Sequence, residues 1–87
     1  MRNHEPARAV ASYEEAVRAL TASQGDKSPM LARPLARLGD AELALGHSGR
    51  ARDVYARALA VVPDDASQAE LRHELQAALA KLTSDAR

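Results

Sequence analysis

The sequence contains no cysteine, phenylalanine, tryptophan or isoleucine, and only two tyrosines among 87 residues. Without cysteine there can be no disulfide and no thiolate metal site, which suits a reducing compartment and makes the cytoplasm the expected location. The scarcity of aromatic residues and isoleucine disfavours strands. No apolar run approaches the roughly 18 residues of a membrane-spanning helix, and a proline and three glutamates within the first 15 residues interrupt the stretch that a signal peptide needs.

An excess of charge of one sign is also missing, because twelve basic side chains balance twelve acidic ones. Such a chain has no uniform field to attract phosphate backbones or an anionic membrane, so neither nucleic acid nor membrane is an expected partner. What the chain does have is twenty alanines and eleven leucines, residues with high helix propensity. We therefore expect one all-α domain over residues 1–87, with a modest core that buries about 60 to 65% of the surface of the unfolded chain.

Apolar periodicity and turn residues predict four helices. The predicted spans are 6–22, 29–45, 49–62 and 67–83. A short turn bounded by glycines separates the second helix from the third, so these two helices are expected to be antiparallel neighbours.

The starts of the second and fourth helices have recognisable cap residues. Ser28 is the expected N-cap of the second helix, with Pro29 at the first helical position, where its missing N–H costs nothing. Pro34 predicts either a kink or a helix that really starts near Arg33, because a proline inside a helix removes a backbone hydrogen bond. At the fourth helix, the segment Ser67–Glu70 matches a capping box.

The first and third helices repeat each other at a constant offset of 42 positions. A shared pattern on one stripe is typical of a repeat, since each unit buries the same face against its neighbour. Chance agreement in an alanine-rich chain is the alternative. The matched pairs are Arg8 and Arg50, Ala9 and Ala51, Tyr13 and Tyr55, Ala16 and Ala58, Val17 and Leu59, and Leu20 and Val62.

The second and third helices together resemble a tetratricopeptide repeat. The positions that carry the resemblance, at the spacings of the family, are Leu38, Gly39, Gly46, Ala51, Tyr55, Ala58 and Pro63. Leu35 stands in place of the family's first aromatic residue and Glu42 in place of its mid-helix tyrosine. The resemblance implies a right-handed α-solenoid fragment of about four helices: one full repeat between two half-repeats, closed by a capping helix. The 42-residue offset is similar to the longer repeat of kinesin light chains and many bacterial regulators.

The same resemblance implies a scaffold that binds a protein or peptide, without catalysis, cofactor or metal. Because the first helix of each unit lines the concave groove in this family, the candidate partner-binding residues are Arg33, Arg37, Asp40, Glu70, His73 and Gln76. Arg33 and Arg37 lie one helical turn apart and could jointly hold a carboxylate of the partner. The alternative is that both are ordinary solvated arginines. The three histidines lack metal-ligand spacing.

Two other functions stay open at this point. The first helix corresponds to the second half of a repeat, so its apolar stripe is expected to lack a partner in the chain. The residues of this stripe are Ala9, Tyr13, Ala16, Val17 and Leu20. This predicts a homodimer, in which the first helix can be exchanged between chains. A closed four-helix monomer is the alternative. A sensory or transducing fragment of a larger bacterial regulator is the third reading.

Overall fold

A computed structural model describes residues 5–85, and every regular element among them is helical, which confirms the predicted all-α class. The four α-helices are α1 (Glu5–Gln24), α2 (Ala32–Ala44), α3 (Ser48–Val61) and α4 (Ala69–Asp85). Each helix packs against the next one along the chain, and the α2–α3 pair makes the most extensive contact. No helix within residues 5–85 is long and apolar enough to cross a membrane.

A 3₁₀ turn over Pro29–Leu31 precedes α2. Ser28 caps this turn as predicted, because its Oγ accepts the backbone N–H of Met30 at 3.1 Å. Pro29 follows at the first position of the turn. The predicted helix 29–45 therefore begins as a tight turn, and α2 itself starts at Ala32.

Pro34 is the third residue of α2. A backbone N–H in the first turn of a helix has no intrahelical acceptor, so a proline there removes no hydrogen bond. Of the two predicted outcomes, the late start near Arg33 is confirmed. Pro34 is accommodated by the start of the helix.

The predicted capping box at Ser67–Glu70 is wrong. Asp65 is the cap instead, since its Oδ1 accepts the backbone N–H of Gln68 at 3.2 Å. The hydroxyl of Ser67 donates to the same oxygen at 2.6 Å and so supports Asp65. A charged acceptor makes the stronger hydrogen bond to a backbone N–H. As a result a 3₁₀ turn forms over residues 66–68, and α4 begins at Ala69.

The junction between α3 and α4 is held by Arg72. Its Nη2 donates to the backbone carbonyl of Pro63 at 2.8 Å and lies 3.1 Å from Oδ1 of Asp64. These contacts tie the first turn of α4 to the segment that follows α3. They contribute to the orientation of α4 relative to the α2–α3 hairpin.

The turn between α2 and α3 depends on Gly46, whose φ is +83°. A side chain is strained in this left-handed region, so glycine is the residue that fits. The N–H of Gly46 donates to the carbonyl of Leu43 at 2.9 Å, and the N–H of His47 donates to that of Glu42 at 2.9 Å. The chain can then reverse within three residues, which brings α2 and α3 side by side.

The core lies around α2, between α1 on one side and α3 and α4 on the other. Its largest fully buried side chains are Leu31, Leu35 and Leu75. Val17 of α1 is buried in the same core, and Tyr13 packs against its edge. In the stripe on α1 that motivated the dimer prediction, Val17 is thus covered by the chain's own core, whereas Ala9 and Tyr13 are partly exposed.

The closest approach between α2 and α3 occurs at Gly39. A Cβ atom at this position would lie only 2.6 Å from Cε1 of the buried Tyr55 ring. Ala51 and Ala58, on the same side of α3, are fully buried. Small residues therefore let the two helices approach, and the Tyr55 ring fills the space directly above Gly39.

Candidate functional site

The α2–α4 groove is an open depression of about 380 Å³ between α2 and the start of α4. Its lining residues are Arg33, Ser67, Glu70, Leu71, His73 and Glu74. Apart from Leu71, which forms part of the core, the lining is polar. Three of the predicted partner-binding residues, Arg33, Glu70 and His73, therefore share one groove.

Arg37 is the centre of an ion-pair network that borders this groove. Its Nη1 lies 2.9 Å from Oδ2 of Asp40, one turn along α2, and its Nη2 lies 2.8 Å from Oε2 of Glu74 on α4. Burial acts to lower the pKa of Arg37, but the hydrogen bond to Glu74 and the two negative charges outweigh it and raise the pKa above its ordinary value. Arg37 is therefore a fixed cation between two carboxylates.

Asp40 connects this network to the buried core. Its Oδ1 accepts a hydrogen bond from the hydroxyl of Tyr55, whose ring is 3% exposed. Burial, followed by the hydrogen bond to Asp40, raises the pKa of the Tyr55 phenol above its ordinary value of 10.0. A hydroxyl that must stay protonated to donate this bond fixes Asp40, and Asp40 in turn orients Arg37.

A second opening, the α1–α2 depression, lies on the other side of Arg37 and has a volume of about 300 Å³. Its lining residues are Glu5, Pro6, Ala9, Tyr13, Arg37, Asp40, Ala41 and Ala44. Half of these residues, namely Pro6, Ala9, Ala41 and Ala44, have small apolar side chains. The α1–α2 depression therefore suits small apolar groups, whereas the α2–α4 groove suits polar ones.

The two arginines that the sequence paired differ in the structure. Arg33 is exposed and forms no ion pair with any residue between 5 and 85, whereas Arg37 already contacts two carboxylates. Gln76 is exposed on α4 and lies outside the lining of the groove. Glu74 was missed by the sequence analysis, although it lies one turn from Glu70 and next to His73. That helical spacing was the available signal.

The opposite side of the molecule carries the α1–α3 depression, of about 430 Å³. Glu42 borders it with a side chain that is 3% exposed, and His47 covers the carboxylate, with Nδ1 2.7 Å from Oε1. Arg50 lies farther away, with Nη1 3.9 Å from Oε2. This buried carboxylate stands where the family has a tyrosine, and His47 is its nearest polar partner. Its contacts are internal to the α2–α3 hairpin.

Between residues 5 and 85, no group of three or more histidine or carboxylate side chains is arranged to hold a metal ion. The polar contacts described above join protein groups to one another. The arrangement is that of a surface with fixed charges, one polar groove and one small depression with apolar lining.

Comparison with known protein families assigns this fold. The family described as tetratricopeptide repeat matches residues 1–64, which is 64 of the 87 residues and includes α1, α2 and α3. The chain therefore belongs to the tetratricopeptide repeat family, as the signature residues predicted. Modules of this family are generally protein-binding scaffolds. No curated protein and no solved structure matches the chain.

Proposed function

We propose that this chain is a cytoplasmic protein-binding module that takes a peptide or protein segment in the α2–α4 groove. The observation that supports the proposal is the convergence of Arg33, Glu70 and His73 on one open groove. Arg33 forms no ion pair within residues 5–85, so it can bind a partner without first losing an internal contact.

The chemistry of the groove favours recognition by a few charges together with shape. An arginine that joins a partner carboxylate can form two parallel hydrogen bonds, which add orientation as well as affinity. Glu70, on the opposite wall, can accept hydrogen bonds from the partner. A partner segment with a carboxylate opposite the arginines therefore fits this surface best.

The test is a titration of a captured partner with a variant in which Arg33 and Arg37 are both replaced by alanine. We expect the affinity to fall by about 1 to 3 kcal/mol, with strong salt dependence, while the helical content stays the same. The matched control replaces Arg18 and Arg57, which line the α1–α3 depression and form no ion pair between residues 5 and 85. A partner that loses affinity only in the control variant binds the opposite side, and the proposal fails.

Self-association is a second candidate, favoured by the apolar lining of the α1–α2 depression. A second copy could cover Pro6, Ala9 and Tyr13 and so form a homodimer. Light scattering over a hundredfold concentration range tests this, with Tyr13→Glu as the variant that should abolish association. A constant mass near 9.3 kDa for both proteins excludes the dimer.

A further inference from the structure

The Arg37–Glu74 ion pair separates the two openings on one face of the molecule. Arg37 lines the α1–α2 depression, and Glu74 lines the α2–α4 groove. The pair spans this face from α2 to α4, with 2.8 Å between Nη2 and Oε2. We propose that this ion pair is a displaceable bar: a carboxylate of the bound segment replaces Glu74 on Arg37, and the two openings become one continuous groove.

The two ends of the Arg37 guanidinium are held differently. Nη1 contacts Asp40, which is fixed by the hydroxyl of the buried Tyr55. Nη2 contacts Glu74, whose side chain is 50% exposed and has no other ion pair or hydrogen bond within residues 5–85. Asp40 therefore keeps the guanidinium in position when Glu74 leaves, so the site for an incoming carboxylate is preformed.

The energetics allow this exchange. Exposed ion pairs contribute little to stability, because solvent screens the charges and two long side chains must be held in one geometry. An incoming carboxylate also gains the attraction of Arg33, one turn earlier on α2. Replacing one carboxylate with another leaves the charge at Arg37 unchanged.

The surrounding residues define the chemistry of the segment. Glu70 stands on the opposite wall and repels an acidic run, so the groove favours a single carboxylate. The α1–α2 depression beyond the bar is lined by Pro6, Ala9 and Ala44, which favour small apolar side chains. The expected ligand is thus a segment with one carboxylate next to alanine-sized or valine-sized residues. This inference rests on the proposed function and specifies how the same groove is regulated.

The experiment uses two capped heptapeptides with a central glutamate or a central glutamine, each flanked by alanine and valine. Both are titrated by NMR into the full chain, into Glu74→Gln and into the matched control Glu70→Gln, which removes an equal charge from the same helix. We expect Glu74→Gln to bind the glutamate peptide about two- to fivefold more tightly than the parent, as expected when an exposed ion pair no longer competes. The affinity of Glu70→Gln for the glutamate peptide should rise less than that of Glu74→Gln. The affinity for the glutamine peptide should be the same in Glu74→Gln as in the parent.

A second comparison tests the role of Arg37. In the double variant with Arg37→Gln and Glu74→Gln, the gain should disappear. Thermal unfolding of each variant checks that the variant is folded. If Glu74→Gln is not folded, Glu74→Ala is used in its place. Binding of the glutamate peptide to Glu74→Gln, without measurable binding to the parent, would also support the proposal that the Arg37–Glu74 ion pair must open.

Three results would overturn the inference. An equal rise in affinity for the glutamate peptide in Glu74→Gln and Glu70→Gln would show that each variant only removes a negative charge that repels the peptide. Equal affinity for the two peptides would show that the groove binds without a carboxylate on Arg37, which leaves the proposed function intact. Absence of binding of the glutamate peptide to both the parent and Glu74→Gln would show that Arg37 accepts no outside carboxylate, while the captured-partner titration decides the proposed function separately.

Discussion

Replacement of Gly39 by alanine tests the close packing that brings α2 against α3. The added Cβ would lie 2.6, 2.8 and 2.9 Å from three ring atoms of Tyr55, which is closer than non-bonded carbon atoms can approach. The ring cannot move freely, because it is 3% exposed and its hydroxyl donates to Asp40. The variant must therefore either shift the ring or separate the two helices.

The size of the effect follows from two opposing contributions. Overpacking of a core costs about 1 to 3 kcal/mol, and three contacts this short place Gly39→Ala in the upper part of that range. Replacing glycine by alanine inside a helix returns about 1 kcal/mol through helix propensity. We expect a net loss of about 1 to 2 kcal/mol in the free energy of unfolding, measured by urea denaturation.

Gly49 provides the matched control for this prediction. It lies in α3, and a Cβ atom there would have no neighbour within 4 Å. Gly49→Ala should therefore stabilise the protein by up to about 1 kcal/mol. In a Tyr55→Leu background, Gly39→Ala should no longer destabilise, because the ring it meets is gone. Equal or greater stability of Gly39→Ala relative to the parent would refute the packing argument.

Three further predictions test other parts of the fold. Ala51→Leu should lower the free energy of unfolding by about 1 to 3 kcal/mol through overpacking of a fully buried site, while the surface change Arg57→Ala should have little effect in the same denaturation assay. Folding raises the pKa of the Tyr55 phenol, so above pH 10 this group ionises in the unfolded chain before it ionises in the folded one. The free energy of unfolding should therefore fall by up to about 1.4 kcal/mol per pH unit in this range. The Tyr55→Phe variant should therefore lose less stability than the parent as the pH rises above 10. Plots of unfolding free energy against pH that run parallel for the two proteins would contradict the argument. His47→Ala should cost about 1 to 3 kcal/mol because it removes the nearest partner of the buried Glu42 carboxylate, whereas Glu42→Leu should be nearly neutral. An equal loss of stability in His47→Ala and Glu42→Leu would contradict this prediction.

The helices could be predicted because their signals are local. Apolar spacing, the Ser28 cap and the glycine turn each act within a few residues, and the structure places helices where these signals lie. The predicted start of α4 was wrong because the hydroxyl of Ser67 donates to Asp65 and does not cap the helix, while Asp65 accepts the N–H of Gln68 and caps the turn that precedes α4. Sequence spacing favoured Ser67, whereas the carboxylate of Asp65 is the acceptor in the structure.

The groove could be predicted only in part. The family resemblance indicated which face of α2 points outward, and so identified Arg33 and Arg37. The contact between Arg37 and Glu74 depends on the rotation of α4 relative to α2, which is set by long-range packing. The contact between His47 and the buried Glu42 was also missed, because a histidine in a turn has no local sequence signal that indicates a buried partner.

Amide-shift mapping of the labelled chain with the glutamate heptapeptide tests the central claim most directly. The account predicts that the largest shifts occur at Arg33, Arg37 and Glu74, and that the residues of the α1–α3 depression, such as Arg18 and Arg57, do not shift. Shifts centred on Arg18 and Arg57, or spread evenly over all four helices, would contradict a binding site in the α2–α4 groove.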